Sequence, residues 1–340
     1  MIGRACALLL LTALPAAAQA PAAPAAPLFA EDEPLVMRLV LDVDAISGDR
    51  SEDAPERPGL LFLEATGHTL PVDLRTRGNF RLRRSTCGFP PLRLDLPRSQ
   101  LAGTVFEGQD KLKLVSFCRD ENDSEQDVLE EYLAYRVHTL VSPWALRVRL
   151  VRMTYADLRG REDPVTRYGF LIEDEEAAAQ RLGGTLQKTP LFDPTGYVPR
   201  AQVLTSLFQF MIGNTDWSIV EFHNAHLLHL ADGSFVPLVY DFDFSGLVDA
   251  PYAVVNPTLG IESVRERAYR GFCVEGMDYL PVFAELLARE ADVLALVDAV
   301  PGLSRRNQGR ARDYLASFFE MLRSEGRRDR YIVRSCRSVN

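Results

Sequence analysis

Apolar residues recur at every second position through the first half of this 340-residue chain, a period that commits those runs to strands with one buried face. In LVMRLVLDV, Leu35, Met37, Leu39, Leu41 and Val43 share a face, with Arg38 and Asp42 on the other. The same pattern returns in TLPVDLRTR (Leu70, Val72, Leu74), PLRLDL (Leu92, Leu94, Leu96) and KLKLVSF. RVRLVRMTYAD and RYGFLIED add two further strands. One helix interrupts them, over 124–141, with Ser124 placed as its N-cap and acids in its first turn. The second half changes character. RAQVLTSLFQFMI (200–212) reads as a buried helix, HNAHLLHL and SFVPLVYDFDF as a hairpin about Ala231-Asp232-Gly233, and the regions near 278–299 and 304–325 as amphipathic helices. The order predicts an α+β chain with a β-rich N-lobe over 35–175 and a mainly helical C-lobe over 176–340 carrying an inserted hairpin.

The N-terminus reads as an address. Residues 1–20 place Arg4 before an apolar run at Leu8–Leu11 and close on Ala18-Gln19-Ala20, the layout of a cleaved secretory signal peptide. Residues 21–34 form a Pro/Ala-rich linker, and no later stretch offers about 20 apolar residues for a transmembrane segment. The expectation is a periplasmic or secreted protein. Cys87, Cys118, Cys273 and Cys336 follow the signal, an even number that in an oxidising compartment reads as two disulfides. Three connectivities exist; pairing within each lobe favours Cys87–Cys118 and Cys273–Cys336. Thirty-eight basic against 47 acidic residues give a net charge of −9, which argues against a nucleic-acid partner.

The chemistry concentrates in GNTDWSIVEFHNAHLL and FVPLVYDFDFSG. Phosphoryl transfer needs a carboxylate at the acceptor hydroxyl and hard oxygen ligands for a divalent cation. Asp216, Asn224 and Asp241 occur in a suitable order, and Asp243 shares a strand face with Asp241, suiting chelation. Lys111 and Lys113, two of only three lysines, sit on one strand face, where a cation paired to Glu130 or Glu131 could meet phosphates. A D-x-D aspartyl phosphatase is set aside because the chain after Asp243 reads as helical. A three-histidine metal site at His223, His226 and His229 is disfavoured, since on a strand His226 points away from the other two.

The stretch RTRGNFRLRR…CGFPPLRLDL…FEGQDKLKLVSFCRD…VLEEYLAYRV resembles the CotH (spore coat protein H) kinase family. Arg77-Gly78-Asn79-Phe80-Arg81 and Leu133-Ala134-Tyr135 carry the match, with RYGFLIED through Tyr168, Gly169 and Glu173, and with GNTDW and YDFDFSG. It spans roughly residues 35–250 in consistent order; RGNFR lacks the family's serines, and Glu130 stands where the family has a basic residue. The resemblance implies a bilobal atypical protein-kinase-like fold with Asp216 as catalytic acid and Asp241 as a ligand of Mg²⁺ or Mn²⁺, to which the reading of the residues adds Asn224 and Asp243 as candidate ligands. It also implies Lys111, Lys113, Arg77, Glu130 and Glu173 about a bound ATP. The implied activity is phosphate transfer to Ser or Thr hydroxyls of an exported protein substrate. The alternative is a catalytically silent kinase-fold binding or envelope-assembly protein.

Overall fold

The computed structural model describes residues 26–190 and 196–338, so the signal segment and the start of the linker lie outside the described residues. Seven strands form the first half: β1 (Leu35–Leu41), β2 (Arg57–Leu63), β3 (Thr69–Thr76), β4 (Leu92–Asp95), β5 (Lys111–Val115), β6 (Val148–Asp157) and β7 (Val165–Ile172). Every expected strand is present, and β2 adds one that the alternation did not mark. Neighbours pair antiparallel around the order β1-β2-β3-β4-β5-β7-β6, and a parallel pairing of β1 with β6, Leu35 opposite Val151 through Leu41 opposite Asp157, closes the ring. The period-two residues point inward: Met37, Leu39, Leu41, Leu74, Leu94, Leu112 and Leu114 are all buried in the barrel core. The linker does not stay clear of this core, because Leu28 is fully buried in it.

This closure corrects the expected bilobal kinase-like architecture. Alternation specifies which face of each strand is buried, but it carries no information on whether the first strand meets a distant one. Here β1 and β6 lie more than a hundred residues apart and still pair, giving a closed barrel. Nor does a helical lobe stand apart with its own core. Helix α2 (Asn122–Val141), which follows α1 (Val43–Gly48), belongs to the first half yet shares one apolar cluster with the second-half helices.

The second half contains α3 (Glu175–Arg181), α4 (Pro199–Ile212), α5 (Leu280–Ala288), α6 (Glu290–Ala299), α7 (Arg305–Arg323) and α8 (Glu325–Tyr331). Strands β8 (Gly184–Gln187), β9 (Ala225–Leu230) and β10 (Phe235–Val239) form a small sheet in the order β10-β9-β8. The hairpin turn falls where expected, with Asp232 Oδ1 accepting the Ser234 amide at 2.9 Å. The helix expected near 278–299 is broken at Arg289 into α5 and α6. Helix α4 stops at Gly213, whose φ is +67° and where a Cβ would collide with the Tyr314 hydroxyl, so only glycine fits. Ser124 is not an N-cap, because α2 starts two residues earlier; its Oγ instead accepts the Cys118 and Arg119 amides at 2.9 and 3.0 Å. Among the described residues no helix is long and apolar enough to cross a membrane.

Both within-half disulfides are formed, Cys87–Cys118 closing 31 residues and Cys273–Cys336 closing 63. Loop-closure entropy makes each worth about 3–4 kcal/mol. Replacing Cys87 and Cys118 together by Ser is expected to lower unfolding stability by about that amount. Thiol titration of the unreduced, denatured protein without residues 1–20, which hold Cys6, should find no free thiol, and a count of four would contradict the pairing.

Candidate functional site

The site begins where α4 ends. Asn214, buried behind Gly213, accepts the Asp216 amide on its Oδ1 at 2.9 Å and turns that loop outward. Arg270 donates to the Thr215 carbonyl and braces the same turn. Backbone bonds between Ser218 and His223, at 2.8 and 3.0 Å, then close a short loop that returns His223 and Asn224 to Asp216. Asn224 Nδ2 donates to the Asp216 carbonyl at 2.8 Å and to its Oδ2 at 3.1 Å, while His223 Nε2 lies 2.7 Å from Oδ1. Phe222 and Asn224 have φ of +54° and +49°, a left-handed backbone that costs of order 1 kcal/mol per non-glycine residue.

Strand β10 delivers the acidic pair Asp241 and Asp243. Beyond it the Tyr240 amide bonds the Asn224 carbonyl at 3.1 Å, and Asp241 turns left-handed at φ +64°. The Asp241 amide is held by the hydroxyl of the fully buried Tyr135, on α2, at 2.9 Å. Asp243 accepts the Tyr252 hydroxyl at 3.0 Å. One turn of α2 before Tyr135, Glu131 points into the same space.

The facing wall is basic. After β3 the chain runs through Arg77, Gly78, a single 3-10 turn at Phe80–Leu82, and Arg83. Arg81 is buried and donates to the Ser116 carbonyl at 2.5 Å, its Nε unpartnered, and among the described residues neither Arg77, Arg81 nor Arg83 makes an ion pair with a carboxylate. Arg50 fixes the loop by donating to the carbonyls of Leu82, Cys87 and Gly88 at 3.4, 2.9 and 2.6 Å. The two walls enclose a cleft of about 330 Å³.

Charge in this cleft is out of balance. Burial pushes Asp243 up to about 7, with the nearby Asp241 carboxylate adding to the rise and Arg81 opposing it. Burial likewise drives Glu131 well above the usual carboxylate range, reinforced by Asp243 and Asp241. Crowded, desolvated carboxylates of this kind are relieved by a cation, and an all-oxygen donor set suits Mg²⁺ or Mn²⁺. Among the described residues no group of three His, Cys, Asp or Glu side chains is assembled to hold an ion. The donors that Asp241 and Asp243 bring to the cleft are two carboxylates, the chemistry by which Mg²⁺ is commonly held.

Five residues expected from the sequence thus come together: Asp216, Asn224, Asp241, Asp243 and Arg77 all line the cleft. Four do not. Lys111 pairs with Asp95 at 3.4 Å on the barrel surface. Lys113 pairs with Glu175 and lies 4.9 Å from the centre of the Tyr240 ring, outside the cleft lining. Glu173 is occupied by Arg181 at 2.7 Å and by the Arg147 amide at 3.0 Å, a brace where β7 passes into α3. Glu130 is one helix position from Glu131 and so faces elsewhere, towards Arg310, Asp127, Arg265 and Asp249. The sequence reading placed Arg81 in the Arg77–Arg81 motif but gave it no role in the site, and it missed Tyr252, which had no signal. His223 enters the cleft, but His226 packs by Tyr240 and His229 stacks on Phe235, so no histidine cluster forms.

No protein-family model matches the chain, and no curated protein matches it.

Glu130 gives the clearest test of the buried electrostatics. Neither of its oxygens has a hydrogen-bond partner, and burial raises it to about 8. The folded protein then holds a proton that the unfolded chain releases near pH 4.5, so stability falls as pH rises from about 4.5 to 8 and levels above. A shift of that size corresponds to about 5 kcal/mol as an upper figure. Glu130→Gln is expected to flatten this slope and to raise the melting temperature more at pH 8 than at pH 5. An unchanged slope in urea titrations across that range would contradict it.

Proposed function

We propose that this protein is a metal-dependent phosphotransferase, moving a phosphoryl group from a nucleotide-type donor to a Ser or Thr hydroxyl of an exported protein. The observation that carries the reading is the pairing of walls: Asp216, Asp241 and Asp243 on one side of a single cleft, and on the other Arg77 and Arg81, which among the described residues make no ion pair. The reading rests on this site and takes nothing from the fold, since a closed barrel removes the kinase-like analogy. Two disulfides suit an oxidising compartment and so an exported chain.

The residues divide the work by charge. Arg77 and Arg81 bind and orient phosphate oxygens, the role the sequence reading had given to lysine; a guanidinium presents paired donors that match them. Asp241 and Asp243 hold the divalent cation, which when bound neutralises charge on the phosphates. The Asp216 loop, at the outer end of the same wall, receives the acceptor hydroxyl. Asn224 fixes the Asp216 carboxylate and backbone together, so it positions that loop.

A second reading is favoured by one observation: no lysine lines the cleft, whose cations are all arginines. On that reading the site binds a phosphorylated ligand and transfers nothing.

A thermal-shift experiment with Mg²⁺ or Mn²⁺ and a nucleotide separates the outcomes. Binding at a hundredfold excess over Kd should add about 2.7 kcal/mol of stability. Asp241→Asn and Arg77→Ala are each expected to abolish most of that shift. Asp216→Asn should keep it and lose transfer, measured as radiolabel incorporated into a Ser/Thr-rich acceptor. Transfer that survives both Asp changes contradicts the proposal, and binding without transfer by the wild type supports the second reading.

A further inference from the structure

The Asp216 loop carries a group that the reading above leaves unused. Both Asp216 oxygens already accept hydrogen bonds, Oδ1 from His223 Nε2 at 2.7 Å and Oδ2 from Asn224 Nδ2 at 3.1 Å. A carboxylate can only accept, so the proton on the first of these bonds sits on Nε2. In the neutral ring this leaves Nδ1 as a bare lone pair, and among the described residues Nδ1 has no hydrogen-bond partner. His223 lines the cleft and is half-exposed, so an incoming hydroxyl can reach it without displacing a protein partner.

The local backbone is built to hold this pair. The Ser218–His223 backbone bridge sets the loop length, Phe222 and Asn224 on either side of His223 are both left-handed, and Arg270 and Asn214 clamp the Asp216 end. Strain of this kind persists only where surrounding contacts enforce it. A general base needs a free lone pair within reach of the proton it takes, and a partner that holds the ring in the correct tautomer.

We infer that His223 is the general base of the transfer proposed above, with Asp216 as the positioning residue that sets its tautomer; the inference rests on that reading. As the acceptor oxygen bonds to the terminal phosphorus of the donor, its proton passes to His223 Nδ1. The bond from that phosphorus to the bridging oxygen breaks, and its electron pair leaves with the shortened donor. The proton on the resulting imidazolium is then released to water. Asp216 stays ionised throughout and stabilises the imidazolium that forms. This assignment moves the proton acceptor from the carboxylate expected from sequence to its histidine neighbour.

Chemical rescue tests it. His223→Ala is expected to lower turnover by about 10²–10⁴-fold, with the nucleotide-induced thermal shift unchanged. Added imidazole should restore part of that turnover, because it supplies the missing base. Asp216→Asn should show a comparable loss that imidazole does not restore, because the histidine is still in place with the wrong tautomer favoured. His223→Gln, close in size to the native ring, serves as a folding control and should be as inactive as the Ala variant. Turnover retained in His223→Ala while Asp216→Asn is inactive overturns the inference and leaves Asp216 as the base. A loss in His223→Ala that imidazole leaves untouched also overturns it, marking a structural role. If the wild type transfers nothing from any nucleotide donor, the inference and the function it rests on both fall.

Discussion

One hydrogen bond, from the Asp241 amide to the Tyr135 hydroxyl, joins the two halves of the molecule at the point where the chemistry is proposed. Tyr135 is wholly buried, its ring 5.4 Å from Phe170 of the barrel and 4.5 Å from Phe242 beside the acidic pair. Losing the bond would leave a buried amide unsatisfied, at about 1–3 kcal/mol, next to a residue already in a left-handed conformation. Helix α2 is therefore more than a strut between β5 and β6. It carries Tyr135 under Asp241 and Glu131 into the cleft, and it packs the closed barrel against α4, α6 and α7.

The opposing wall is secured independently. Arginines in an unstructured loop would spread away from one another, yet Arg77, Arg81 and Arg83 are held on one side of a cleft in a chain of net charge −9. Three constraints hold them: the Cys87–Cys118 disulfide at the loop's end, Arg50 spanning three of its carbonyls, and the bond from Arg81 to Ser116. Arg81 keeps its charge because Tyr252, Asp243, Glu131 and Asp241 surround it, which outweighs the desolvation that opposes it. The two walls thus stabilise each other across the cleft without making a direct ion pair. That leaves donors and acceptors on both sides free for a ligand.

Much of this was legible in the sequence, and what was not has physical causes. Period two announced six strands because each buries one face, but the β1–β6 pairing that closes the barrel is a non-local event that no local pattern encodes. Asp216, Asn224, Asp241 and Asp243 were legible as a group because polar residues stood in order between apolar elements. The cations were misread for a geometric reason. Lys111 and Lys113 do share a strand face, but Asp95 and Glu175 already neutralise them there. Glu130 and Glu131 differ by one position on a helix, about 100° of rotation, and sequence alone does not fix which of two adjacent acids faces a cleft. His223 was weighed only as a metal ligand. Its pairing with Asp216 depends on the left-handed turn at Phe222 and Asn224, which neither residue type announces.

The central claim is that the carboxylates beyond β10 and the arginines beyond β3 form one cation–phosphate site. The most direct measurement is an anomalous difference map from crystals grown with Mn²⁺ and a non-hydrolysable nucleotide. The account predicts one manganese peak within coordination distance of Asp241 and Asp243, with phosphate density extending from it to Arg77 and Arg81. Manganese bound elsewhere, or phosphate density that leaves the arginine wall empty, would contradict it.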